Sequence, residues 1–364
     1  MTQRNHSVDL FRIIASIFVI ILHVLGQGGI LQAAAPGSSV YWLAWSMEIL
    51  AFCAVDCFAL ISGYVMLDKS IKTKNIVGLW IHALFYSLLF TALFFVFVPE
   101  TRSLRHIVVA CLPIVGKQWW YMSAYFALYL FVPVLNAGVH QIPKRNIQKF
   151  LILVLVGIGI LDHLIPTDDA FRLTGGNSPI WLMILYLFGA YIKKYNVKEK
   201  ITRFQSLLGF FIAIALTILS KVIIRLVTVR MFGVIKYDDI WISYTSITII
   251  FASLFLFLFF LNIRIGDTAQ KAIMLLAPAT LGVYLIHVHP LVFEYILKDA
   301  FVSFAHTSGL LMIVCTLAVT LIIFLLCAII DLLRIQLFKL LRVAQLCESV
   351  NRYVVRLFSK VSEE

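Results

Sequence analysis

Val8-Asp9-Leu10-Phe11-Arg12-Ile13-Ile14-Ala15-Ser16-Ile17-Phe18-Val19-Ile20-Ile21-Leu22-His23-Val24-Leu25-Gly26-Gln27 is long and apolar enough to cross the hydrocarbon of a bilayer as a helix. Arg12 and His23 lie inside it, at depths where ionisable side chains are costly and point to function. Eleven residues separate them, roughly 16 Å at the helical rise, and eleven steps of about 100° return to nearly the same face. One stripe of one membrane helix therefore presents a cation near one end and an imidazole near the other. Asp9, one turn before Arg12, competes for the guanidinium.

The rest of the chain repeats this apolar pattern. Hydrophobic residues fill 62% of the 364 positions and charged residues only 13%, with a mean hydropathy of +0.98. That balance excludes a water-soluble domain of this size. Windows of about 20 apolar residues predict ten spans, near 8–27, 41–66, 76–98, 118–137, 148–165, 178–194, 204–226, 240–262, 272–297 and 309–333. Short loops marked by Pro36, Pro99, Pro143, Pro166 and Gly175-Gly176 join them. The expected fold is an all-α polytopic membrane domain over 1–335, followed by a basic amphipathic tail over 336–364.

Placing both termini in the cytoplasm puts most of the basic residues there, among them Arg4, Lys69, Lys72, Lys74, Lys144, Arg145, Lys193, Lys194 and the tail cations. The net charge of +12 is then mostly topology, together with a tail suited to anionic lipid, and nothing in it argues for nucleic acid. The six cysteines read as packing residues, and no spacing suggests a metal site.

With this orientation, residues can be compared by depth. Arg12 and Asp56 lie at similar depth from the outer ends of the first two spans, so Asp56 is a candidate partner for Arg12. Glu48 lies within a turn of the depth of His23, where an orienter for a basic imidazole is wanted. His287, well inside the ninth span, falls near that same level and reads either as a functional group or as an interhelical hydrogen bond. Trp119, Trp120 and Tyr121 open the fourth span on the outer side, as an interfacial belt or as a stacking surface for a saccharide.

These residues reach a family. Val8-Asp9-Leu10-Phe11-Arg12, ten residues and His23 resemble the Arg-x10-His signature of the integral membrane acyltransferase family 3, which includes bacterial surface polysaccharide and peptidoglycan O-acetyltransferases. Val55-Asp56-Cys57-Phe58-Ala59-Leu60-Ile61-Ser62-Gly63-Tyr64 is similar to the family's second-helix segment. Trp119-Trp120-Tyr121-Met122 with Phe131-Val132-Pro133-Val134-Leu135, and Leu281-Gly282-Val283-Tyr284-Leu285-Ile286-His287, resemble two later segments in the same order.

The resemblance implies a multi-pass protein of the bacterial cytoplasmic membrane. It would move an acyl group, usually acetyl, from cytoplasmic acyl-CoA to a hydroxyl of an extracytoplasmic cell-envelope glycan. His23 would be the general base or a transient acyl carrier, Arg12 would position the donor, Asp56 would hold Arg12, and no metal would take part. Trp119, Trp120, Tyr121 and His287 would bind the acceptor, and Lys69, Lys72 and Lys74 would meet the CoA phosphates. In this loop the chain has Lys72-Thr73-Lys74-Asn75 where many relatives carry Arg-x-x-Arg, and lysine lacks the bidentate fork. A transporter or flippase using the same intramembrane polar path, and a membrane scaffold for polysaccharide assembly, are the competing expectations.

Overall fold

The computed structural model describes residues 5–165 and 169–361, the side chains of 357–361 excepted; Arg4 and Pro166 lie outside the described residues. Among the described residues the chain is helical, with no strand. Eight helices have the length and hydropathy of a membrane span: His6–Leu25, Ser39–Met66, Thr73–Phe97, Trp120–Gln141, Lys144–His163, Arg203–Phe232, Asp267–His287 and Gly309–Leu340. Two shorter helices, Pro179–Lys194 and Ile247–Leu261, take the places of the sixth and eighth expected spans. The ten are called spans one to ten below.

Span one is the axis of the molecule. Asn5 caps its first turn by accepting from the Ser7 and Val8 amides, and Asp9 sits in that turn, where a negative charge suits the helix dipole. Phe11 stacks on Phe257 and Phe260 of span eight, within a core that also joins spans two, four and six. The residues Ile13, Ile20 and Val24 enter a second core built with spans three, nine and ten. Span one thus lies between two apolar clusters, and the seam between them is where a cavity can form. Outward-facing Leu153, Leu226, Val314 and Leu326 are exposed, as a lipid-facing surface requires.

Three spans depart from the expected single helices. Span two is interrupted at Phe52 and Cys53 between Ser39–Ala51 and Ala54–Met66. Span eight was expected from 240 but begins at Ile247. Residues 243–246 instead form a turn in which Ser243, Thr245 and Ser246 bond locally, and Ser246 caps the helix. Span nine, expected as 272–297, is broken into Asp267–Leu276, a 3-10 turn at Ala277–Ala279 and Thr280–His287. Pro278 removes a backbone donor at the first break, and Pro290 starts the next short helix after the second. Irregular backbone at membrane depth is tolerated where it lines a cavity, and Ala277 and Pro278 do so.

Span ten runs to Leu340, beyond the expected end of the membrane domain. The tail helix, Val343–Val361, then folds back onto the start of span three.

Candidate active site

The side chains of Arg12, Ser16, Val19 and His23 follow one another along span one and all line a single cavity of about 330 Å³. Helical periodicity puts these four on one stripe. Phe58, Trp120, Tyr121, Tyr125, Tyr244 and Tyr284 form aromatic walls around it, and His287 lies beside His23.

The two imidazoles are linked. His23 Nδ1 is 3.1 Å from His287 Nε2, and His287 Nδ1 is 2.6 Å from the Val283 carbonyl oxygen. A carbonyl can only accept, so His287 carries its proton on Nδ1. Neutral His287 then offers a lone pair at Nε2, which takes the proton of His23 Nδ1 as a hydrogen bond. This leaves the lone pair of His23 on Nε2, the nitrogen free of the relay. Phe293 closes another side of the ring, edge-on, with centroids 5.1 Å apart.

The partners expected from depth are different. Arg12 Nη1 bonds Asp9 Oδ1 at 2.8 Å, not Asp56. Asp9 stands one turn away on the same helix, so the pair forms without any demand on how two helices face each other. Asp56 is fully buried against span six, where its Oδ1 accepts from Trp181 Nε1 at 3.2 Å. Glu48 does not orient His23: its Oε2 is buried without a hydrogen-bond partner, and His287 occupies His23 Nδ1. Matching depth says nothing about which way a side chain points.

The aromatic triplet divides. Trp119 is buried with only 1% exposure and meets His289 edge-on at 5.7 Å, so it is not part of an interfacial belt. Trp120 and Tyr121 face the cavity. The Tyr121 and Tyr284 hydroxyls are buried with no protein partner, as is Asp56 Oδ2. The two tyrosines line the cavity, and unpaired hydroxyls there are where a polar ligand or water finds its bonds.

The acyltransferase-domain profile matches residues 5–330, from the N-cap of span one into span ten, and includes every residue of this cavity. The chain belongs to acyltransferase family 3. A search of curated proteins and a search of solved structures each return no match.

In this acyltransferase the basic loop is only partly free. Lys69 and Lys72 are exposed, whereas Lys74 Nζ bonds Glu348 Oε2 of the tail helix at 2.7 Å. That hydrogen bond holds the Glu348 carboxyl below its usual range. Among the described residues no group of three His, Cys, Asp or Glu side chains is arranged to hold a metal ion.

Two polar clusters escaped the sequence reading. Gln118 bridges Ser87 and His289, at 2.5 Å and 2.6 Å. Asp331, inside span ten, gathers His82, Tyr86 and Arg334. The spacing of Asp331 and Arg334, one turn apart in an apolar run, was the available signal.

Proposed function

We propose that this acyltransferase takes its acyl group, acetyl foremost, from acyl-CoA at the cytoplasmic face and passes it to a hydroxyl of a cell-envelope glycan at the outer face. In this reading it resides in the bacterial cytoplasmic membrane with both termini inside. The observation that carries the reading is the relay Val283–His287–His23, which leaves a basic His23 Nε2 at a cavity that continues along the same helix to Arg12.

A sugar hydroxyl is a weak nucleophile near neutral pH. His23 Nε2 takes its proton as the oxygen attacks the thioester carbonyl. The tetrahedral intermediate collapses, the C–S bond breaks, and the His23 imidazolium returns the proton to the departing CoA thiolate. The acylated acceptor and CoA are released, and His23 is again neutral. His287 accepts a hydrogen bond from His23 Nδ1 throughout and so stabilises the imidazolium.

Arg12 stands roughly 16 Å along the helix from His23, too far to touch the reacting carbonyl. Its role in this reading is to hold the donor arm, with Asp9 fixing the guanidinium. The unpaired Tyr121 and Tyr284 hydroxyls supply donors for the acceptor or the acyl oxygen, and Trp120 supplies a stacking face. Lys69 and Lys72 provide counter-charge for the CoA phosphates.

The break in span nine favours a second reading, transport of a solute or lipid-linked glycan, because discontinuous helices mark many transport sites. Purified full-length protein given acetyl-labelled CoA and envelope glycan separates the two. The enzyme reading expects labelled glycan and free CoA, with turnover reduced by about 10²–10⁴-fold in His23→Ala. Solute uptake into vesicles with no acyl-CoA binding or turnover would replace it by the transport reading.

A further inference from the structure

Span ten carries a carboxylate that the acyl-transfer chemistry does not use. Asp331 is fully buried, and its oxygens accept from His82 Nε2 at 3.1 Å, Tyr86 Oη at 2.8 Å, and Arg334 Nε and Nη2 at 3.0 Å and 2.8 Å. Two of these donors come from span three and two from its own helix. A buried charge with this many partners has little freedom to move, because losing one bond leaves a desolvated group unpaired.

What rests against it connects Asp331 to the histidines. Gly282 lies so close that a Cβ there would fall 1.9 Å from Asp331 Oδ1 and clash with the carboxyl group. The next residue, Val283, holds His287 Nδ1 through its carbonyl, and His287 holds His23. The helix bearing all three, Thr280–His287, follows the 3-10 turn at Ala277–Ala279 and ends at the Val288 cap. Side packing therefore adds to the backbone in setting its position.

We propose that Asp331 is the positioning residue of the histidine pair. Locked by His82, Tyr86 and Arg334, it seats the helix 280–287 through Gly282 and so sets the Val283–His287–His23 relay. The proposal takes its kinetic readout from the acyl-transfer reading but has a chemical readout independent of it.

Asp331→Asn and Gly282→Ala, made in the full chain, test it. Each is expected to lower kcat for acyl transfer by about tenfold or more with donor KM unchanged to about twofold. Each also slows carbethoxylation of His23 by diethylpyrocarbonate, read by peptide mass spectrometry, because the relay keeps the ring's lone pair on Nε2. In a His287→Ala background neither substitution changes either readout further. If either variant does not fold, Tyr86→Phe, which removes one donor to the carboxylate and leaves Gly282 in place, carries the test. Unaltered His23 labelling in the folded variants, or a further loss of about tenfold on top of His287→Ala, overturns the proposal. Labelling that responds as expected while no acyl group reaches any acceptor overturns the acyl-transfer reading and leaves the positioning role standing.

Discussion

His287 gives His23 a neutral partner where many catalytic histidines use a carboxylate. Imidazole polarises His23 less than an anion would, but it adds no net charge to the membrane interior. His287→Ala is expected to lower kcat by about 10–100-fold with little effect on donor KM, less than the loss in His23→Ala; equal losses in kcat and binding would remove His287 from the relay. His287→Gln, whose amide oxygen can accept from His23 Nδ1, should recover part of the rate. The same logic separates the two aspartates near Arg12. Asp9→Ala releases the guanidinium and is expected to raise donor KM by about tenfold or more, on the scale of about 1.5–3 kcal/mol for a hydrogen bond to a charged group. Asp56→Asn can still accept from Trp181 Nε1 and should leave donor KM near that of the parent; steady-state titration of both variants decides it. The stripe from Arg12 to His23 was legible because one helix fixes the angle between its own residues. The partners of Arg12 and His23 were not, because periodicity says nothing about which face of span two turns toward span one.

Spans two and six cross at a notch made by glycine on each side. A Cβ at Gly63 would fall 1.9 Å from the carbonyl oxygen of Tyr186, and one at Gly189 2.0 Å from that of Leu60. Small residues allow such backbone contact between membrane helices, where packing rather than apolar transfer drives association. This crossing seats Asp56 against Trp181 and places Ile61 and Ser62 on the cavity wall. Gly63→Val and Gly189→Val should each destabilise by about 3 kcal/mol or more, the upper end for overpacking, since a backbone carbonyl cannot swing aside as a side chain can. Gly157→Ala, with open space around it, serves as the control and should melt with the parent. Thermal unfolding in detergent reads all three, and a Gly63→Val protein as stable as the control would deny the close crossing. The all-helical, membrane-length character of the chain was legible from hydropathy, with eight of the ten expected spans reaching that length. The 3-10 turn within span nine was not, although Pro278 stood in plain view, because a window of about 20 residues averages a break into the apolar run around it.

The whole molecule joins the tail to the proposed donor entrance. The sequence suggested a tail lying on lipid and a lysine loop left to phosphate, but the tail helix docks on span three and occupies Lys74 with Glu348. Because the Glu348 carboxyl is held below its usual range, this contribution to docking is complete above about pH 4.5 and fades as pH falls through the lowered value. Under the proposed donor reading, a CoA phosphate would compete at neutral pH with Glu348 for Lys74. Glu348→Ala is expected to lower donor KM by about two- to threefold, the modest effect of an exposed ion pair, and to leave kcat unchanged. The docked tail can also be trapped. An ideal Cβ at Gly78 lies 4.0 Å from Cys347 Sγ, so Gly78→Cys should form a disulfide with Cys347 under mild oxidation. Burial pushes the Cys347 thiol up, and the cross-link should form faster at alkaline pH. With the tail fixed over Lys74, donor KM should rise, and reduction with dithiothreitol should restore it. Cross-linking with no change in donor KM would keep the docked tail but remove Lys74 from donor binding, leaving Lys69 and Lys72 as the cations of that loop.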